Sequence, residues 1–135
     1  MERSVHDHVL LSYSVRCRDK EIHLHTMYLD GNASEYTDVV FSGVLAYHFE
    51  NDNLNTIFFD IAEVPVRQIY AEHKALFDRL KNYGWPEVNY TSEEHLLQTV
   101  EQRGVRGYEL SSSYGLYGWV WAQSMAVNEA DAPQA

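Results

Sequence analysis

Residues 8–17 read HVLLSYSVRC, and this run alternates: Val9, Leu11, Tyr13, Val15 and Cys17 fall on one side, His8, Leu10, Ser12, Ser14 and Arg16 on the other. A period of two means a strand with one face in a core. The pattern resumes after RDKE. Over residues 21–29, Ile22, Leu24, Thr26 and Tyr28 share one face, while Glu21, His23, His25, Met27 and Leu29 share the other. A two-residue turn at Asp19 and Lys20 pairs Arg18 with Glu21 and Cys17 with Ile22, which keeps the apolar faces together. That register sets Arg16 across from His23 and puts Cys17 on the core face.

The segment DGNASEY then reads as a loop. Residues 37–50, TDVVFSGVLAYHFE, are apolar on both faces, as in a central strand covered on both sides, with a bulge at Gly43. NDNLN turns the chain into TIFFDIAEV, a fourth strand. Val66, Ile69, Tyr70, His73, Leu76, Phe77 and Leu80 recur at helical spacing, between Pro65 and Gly84. TSEEHLLQTVEQRG is a second helix, with Thr91 and Glu94 as a capping box and Gly104 as its stop. VRGYELSSS and YGLYGWVWAQSMAV are two further strands joined near a glycine-rich turn. The order ββββααββ gives a single α+β domain over residues 1–127, a mainly antiparallel sheet with two helices. Residues 128–135 read as a disordered tail.

The 135 residues carry a net charge of −10, which argues against nucleic acid as a ligand, since phosphate binding needs a basic patch. The acidity is uneven. No Lys or Arg lies between Glu21 and Val66, a stretch that holds Asp30, Glu35, Asp38, Glu50, Asp52, Asp60 and Glu63. Such a surface either keeps a strand-rich region soluble or steers a basic partner. No apolar run is long enough to span a membrane, and the N-terminus lacks the apolar core of a signal peptide. Cys17 is the single cysteine, so no internal disulfide forms. A cytoplasmic protein that binds no membrane is the expectation.

Several side chains are candidates for chemistry. His23 and His25 share a strand face, as a metal pair would. Against a metal stand the absence of a third ligand and the cation facing His23, so no metal and no cofactor are expected. His6 and His8 repeat the spacing near the terminus. Asp30, Asn32, Ser34 and Asp38 imitate the start of a calcium loop, but Glu35 occupies the position that needs glycine and Phe41 the one that needs an acid. Pairing Phe49 with Ile57 sets His48 diagonally from Asp60, beside Ser42. These three are the ligand-pocket candidates, with Asp60 buried in its apolar run IFFDIAEV. No serine elbow, phosphate loop or dinucleotide fingerprint occurs, and no catalytic residue is assigned.

The runs EYTDVVFSGVLAYHFE, IFFDI and SSYGLYGWVWA resemble those of a family of small stand-alone bacterial proteins without assigned function. The resemblance covers residues 8 to 125 and implies no catalytic residues. In size, acidity and lack of a catalytic motif, the chain is also similar to immunity proteins of bacterial toxin systems.

The leading expectation is a non-enzymatic acidic binding module of immunity type that captures a basic protein partner, with Asp30, Glu35 and Asp38 as the partner-facing rim. The alternative is a small-molecule-binding or metal-dependent enzyme using His48 and Asp60, or His23 and His25. A third reading is a homodimer built on exposed aromatics such as Trp119 and Trp121.

Overall fold

A computed structural model describes residues 4–30 and 33–132, the side chain of Asp30 excepted. Six antiparallel strands dominate it: β1 (Val9–Arg16), β2 (Glu21–Asp30), β3 (Ala33–Glu50), β4 (Ile57–Val64), β5 (Arg106–Tyr114) and β6 (Tyr117–Ala130). They close into a barrel in the order β1-β2-β3-β6-β5-β4. Between β4 and β5 lie α1 (Val66–Glu72), α2 (Lys74–Leu80), a 3-10 turn at Lys81–Tyr83, and α3 (Glu93–Gln102). The α+β class and antiparallel sheet agree with the sequence. The helix count does not: the long helical stripe is divided at His73, whose ψ of 25° ends α1 and starts α2. Apolar side chains stay in phase across that break, so periodicity alone could not reveal it. The second expected helix is capped one residue later than its capping box implied, by Ser92, whose side chain accepts from the His95 N–H.

The β1–β2 hairpin departs from the expected register by two residues. Arg16 faces Glu21, Val15 faces Ile22 and Ser14 faces His23. The connection is therefore the four-residue stretch 17–20, with Lys20 at a φ of 56°. A slip of two preserves the strand faces, so hydrophobic pattern alone could not choose between the registers. It moves Cys17 out of the ladder, where it is exposed rather than on the core face. A bulge between Leu10 and Ser12 changes the phase of β1. After it, Tyr13 and Val15 pack inward; before it, His8 (4% exposed) and Leu10 do, while Val9 and Leu11 are turned out. One extra residue in a strand reverses every side chain on its far side.

The expected loop DGNASEY is mostly strand, with Asp30 pairing with Ala33 and Tyr28 with Glu35. The oxygen-bearing positions Ser34 and Asp38 thus lie on an extended strand instead of curling around an ion, and Asn32 lies outside the described residues. β3 is the spine of the barrel, pairing with β2 along its first half and with β6 from Tyr36↔Ala130 to Glu50↔Tyr117. The bulge expected at Gly43 falls slightly later: the register of that ladder shifts between Val44 and Ala46, just after Gly43 at its φ of 63°. β6 continues to Ala130, so residues 128–130 are part of the sheet rather than a disordered tail. The barrel closes through a short seam, Val9↔Ile57, where the Leu10 N–H donates to the Thr56 carbonyl and the Phe58 N–H to the His8 carbonyl, each at 2.9 Å.

Two apolar clusters share β6. Inside the barrel, Val120 and Ala122 pack with Ile22, Leu24, Val39, Phe41 and Phe58. On its outer side, Trp119 and Trp121 pack beneath the helices against Ile69, Tyr70, Phe77, Leu96 and Val100. Both tryptophans are 0% exposed, so they cannot build the exposed dimer surface expected of them: the helical layer covers them. Gly118 is required where β6 passes β3, since a Cβ there would lie 2.0 Å from the His48 carbonyl oxygen.

Candidate functional site

The helices leave the outer face of β1, β2, β3 and the last part of β6 uncovered. Side chains there fall into cross-strand rows. One row is Ser12, His25, Asp38 and Asn128; the next is Ser14, His23, Val40 and Ala126; the third is Arg16, Glu21, Ser42 and Ser124. Directly opposed residues hold their Cβ atoms about 5 Å apart, so each row is a line of touching groups.

In the first row, His25 Nδ1 lies 2.7 Å from Asp38 Oδ1, with both side chains about a third exposed or slightly more, at 40% and 33%. When Nδ1 carries the proton and donates it to Asp38, Nε2 is left as an acceptor. Beside it, His23 Nε2 lies 3.1 Å from Glu21 Oε1, and Ser42 donates to the other oxygen of Glu21 at 3.4 Å. The bond from His23 holds the Glu21 carboxyl below its ordinary range, with smaller help from Ser42 and the Arg16 charge. The cation expected across from His23 thus faces Glu21 instead. Each histidine of the His-x-His pair has its own carboxylate. Among the described residues, no group of three His, Cys, Asp or Glu side chains is placed to hold a metal ion.

The first row opens into a groove of about 760 Å³ that takes in both faces of the sheet at the barrel end. Leu11, Ser12, His25, Tyr36 and Asp38 line it together with Glu129, Ala130 and Asp131. Among the described residues, no Lys or Arg lines it. Asp38 sits within it. Glu35 lies at the same end of the barrel, three residues before Asp38 on β3, and strand alternation turns it to the opposite face. Asp30 ends β2 at this rim, and its side chain lies outside the described residues. Glu129 and Asp131 escaped the sequence reading because they fell in the expected tail. The alternation of half-buried Met125 and Val127 with exposed Ala126 and Asn128 was the signal that the strand continues.

The pocket expected from His48, Asp60 and Ser42 does not form. It rested on β3 pairing with β4, but β6 and β5 lie between them. His48 faces Trp119, and Ser42 faces Glu21 and Ser124. Asp60 faces Ser111 and is exposed, just after the bulge between Phe58 and Asp60 on β4. Its apolar neighbours alternate around it without enclosing it.

A second set of titratable groups lies on the outer face of β3, β6 and β5, near α1 and α2. His48 Nε2 is 3.2 Å from Glu50 Oε1. The Glu50 carboxyl is lowered mainly by a bond from the Tyr117 hydroxyl and then by His48, while Glu50 raises Tyr117 in return. Burial raises the carboxyl of Glu109, and the neighbouring Glu72 raises it further. A shallow cavity of about 350 Å³ beside them is lined by His73, Glu109, Ser111 and Tyr117.

No protein-family model, curated protein or solved structure matches the chain. Among the described residues, no helix is long and apolar enough to cross a membrane.

Proposed function

We propose that the protein is an acidic binding module that captures a basic protein partner at the groove beside the β2–β3 hairpin. The observation that carries this reading is a cavity of about 760 Å³ lined by the carboxylates Asp38, Glu129 and Asp131, with no Lys or Arg among its described lining residues. Glu35 and Asp30 belong to the same rim. Elsewhere cations meet carboxylates within the chain: Arg67 reaches Glu94 and Glu101, Lys74 reaches Asp78, and Arg106 reaches Glu63. In the groove the contact is of another kind, His25 against Asp38, and no Lys or Arg stands among its described lining residues. Tyr36 and Leu11 give the same groove apolar surface, and contact area combined with charge is what an interface needs. Likeness to immunity proteins in size and acidity makes a basic toxin the kind of partner to seek, in the setting of the small stand-alone bacterial family that the sequence resembles.

The test compares the native chain with Glu35→Lys/Asp38→Lys, both as baits for capture from the host and in association kinetics with the captured protein. The native chain should associate faster at low salt, lose that advantage as the Debye length shortens to about 8 Å at physiological ionic strength, and exceed the variant by about tenfold or more. Equal rates with equal salt dependence would remove the groove from the interaction.

A second reading rests on the row Ser12, His25 and Asp38. A carboxylate holding Nδ1, a free Nε2 and a hydroxyl on the next strand are the parts of an acyl-transfer site. In this reading Nε2 takes the Ser12 proton as the hydroxyl oxygen attacks an ester carbonyl, and the imidazolium returns that proton to the leaving alkoxide as the ester C–O bond breaks. A fluorophosphonate probe should then label Ser12, and His25→Ala should abolish the labelling. Absence of labelling in the native chain rules this reading out.

A further inference from the structure

A different cavity lies at the opposite end of β3 from the acidic groove. It measures about 500 Å³ and is lined by Tyr13, Tyr47, Phe49, Trp85, His48 and Asp52. Four of these six are aromatic, and they come from β1, β3 and the loop that follows the 3-10 turn.

Tyr13 and Tyr47 each stand at an angle to Phe49, as walls rather than as a stack. Tyr13 meets Phe49 edge-on, with centroids 5.9 Å apart and planes at 86°. Tyr47 meets Phe49 at 5.1 Å and 55°. The fourth ring, Trp85, is anchored from behind by Phe77 at 5.0 Å and Trp119 at 5.8 Å. The Tyr13 hydroxyl donates a short hydrogen bond to Asp52 Oδ2, which ties the carboxylate to the aromatic wall. The remaining polar lining group, His48, has Nε2 toward Glu50 at 3.2 Å.

The chemistry of these walls selects one kind of guest. Ring faces carry negative electrostatic potential and attract a cation, most strongly when the cation is weakly hydrated. A bare ammonium needs strong hydrogen-bond acceptors on several sides to replace its water, and here Asp52 is the one carboxylate in the lining, beside His48 and the weaker phenol oxygens of Tyr13 and Tyr47. A methylated ammonium has no such need. Its charge is spread over methyl groups that pack against rings, and Asp52 gives it a counter-charge. The net charge of −10 raises the local concentration of any cation.

We infer that the Tyr13, Tyr47, Phe49 and Trp85 cavity is an aromatic cage for a trimethylammonium group, with Asp52 as its counter-ion. The ionisation of Tyr13 is pushed up to about 12, chiefly by its bond to Asp52, so the wall stays a neutral phenol. The guest is either a free quaternary amine or a trimethylated lysine on a peptide, and both present the same group to the rings.

The test titrates choline and its neutral carbon isostere, 3,3-dimethylbutan-1-ol, into the native chain, following the ligand methyl protons by NMR. Choline should bind saturably with upfield ring-current shifts, and the isostere about tenfold more weakly or worse, since it keeps the shape and lacks the charge. A trimethyllysine peptide and its unmodified counterpart form the second arm. Tighter binding of the methylated peptide than of choline identifies the protein-borne source; the reverse identifies the free amine. Tyr47→Ala removes a wall ring that is 36% exposed and should abolish the shifts. Asp52→Asn keeps the shape, should weaken choline about tenfold, and should leave the isostere unchanged. Equal binding of choline and isostere, or choline binding that survives both substitutions, overturns the inference, as does the absence of saturable binding of any methylammonium ligand.

Discussion

His23 and His25 show what a single residue's neighbourhood can conceal. Their common outward face was legible from a period of two, and each indeed stands on the outer side of β2. Their partners were not legible, because Asp38 reaches His25 through a ladder whose register depends on a hairpin written in the sequence as a loop. Asp60 failed for a related reason: an apolar run does not by itself bury a strand, and Phe59 beside it is 54% exposed. Two carboxyls nevertheless leave a mark on pH dependence, with opposite signs. Glu109 is raised by burial and then by Glu72, so its ionisation works against the fold. Its stabilising contribution is complete below the ordinary value of 4.5 and is lost as pH rises through the raised one. Glu21 is lowered by the bond from His23, so its contribution is present above 4.5 and is lost as pH falls through the lowered value. Denaturant midpoints measured across this range should show Glu109→Gln gaining on the native chain as pH rises above 4.5. Glu21→Gln should fall behind as pH rises from the lowered value toward 4.5 and hold a constant deficit above it. Parallel curves for native and variant chains would mean that neither carboxyl is shifted in the folded state.

At the scale of elements, existence was easier to read than ends and partners. Six strands and a helical segment between the fourth and fifth follow from periodicity, since alternation and a 3.6-residue stripe are imposed by burial itself. Bulges, breaks and caps are decided by one or two residues. Leu11 reverses the phase of β1, His73 divides a helix whose apolar stripe continues, and Asn128 to Ala130 extend β6 because Tyr36, Thr37 and Asp38 offer partners. The start of α3 makes the point testable. Thr91 and Glu94 have the spacing of a capping box, yet Ser92 accepts the His95 N–H at 3.1 Å. Ser92→Ala should therefore cost about 1 kcal/mol, the usual loss when a helix N-cap oxygen is removed. Thr91→Ala should change stability by no more than about 0.5 kcal/mol. Chemical denaturation of the two variants decides between the caps, and a larger loss at Thr91 would restore the capping box.

At the scale of the whole molecule, the closed barrel was beyond the sequence because closure depends on which distant strands meet. A strand apolar on both faces announces that something covers each side, as β3 does, without saying that β6 is its neighbour. Sequential pairing of the third and fourth strands is the natural default, and this chain departs from it by inserting its helices before β5 and returning β6 alongside β3. The result couples the two apolar clusters through one strand. Trp119 and Trp121 belong to the helical layer, Val120 and Ala122 to the barrel interior, and all four share one backbone. Losing either layer strips one face of β6, so the molecule should unfold as one unit. All three tryptophans, Trp85 included, lie on the helical side. Tryptophan fluorescence therefore reports that layer, while far-ultraviolet dichroism is weighted toward the strands. Val120→Ala empties space in the barrel interior at a cost of about 2 kcal/mol, at a residue the helices do not touch through its side chain. Both probes should move to lower denaturant by the same amount, with coincident transitions before and after the substitution. If the dichroism midpoint falls while the fluorescence midpoint stays, the helical layer holds without the barrel, and β6 does not join the two.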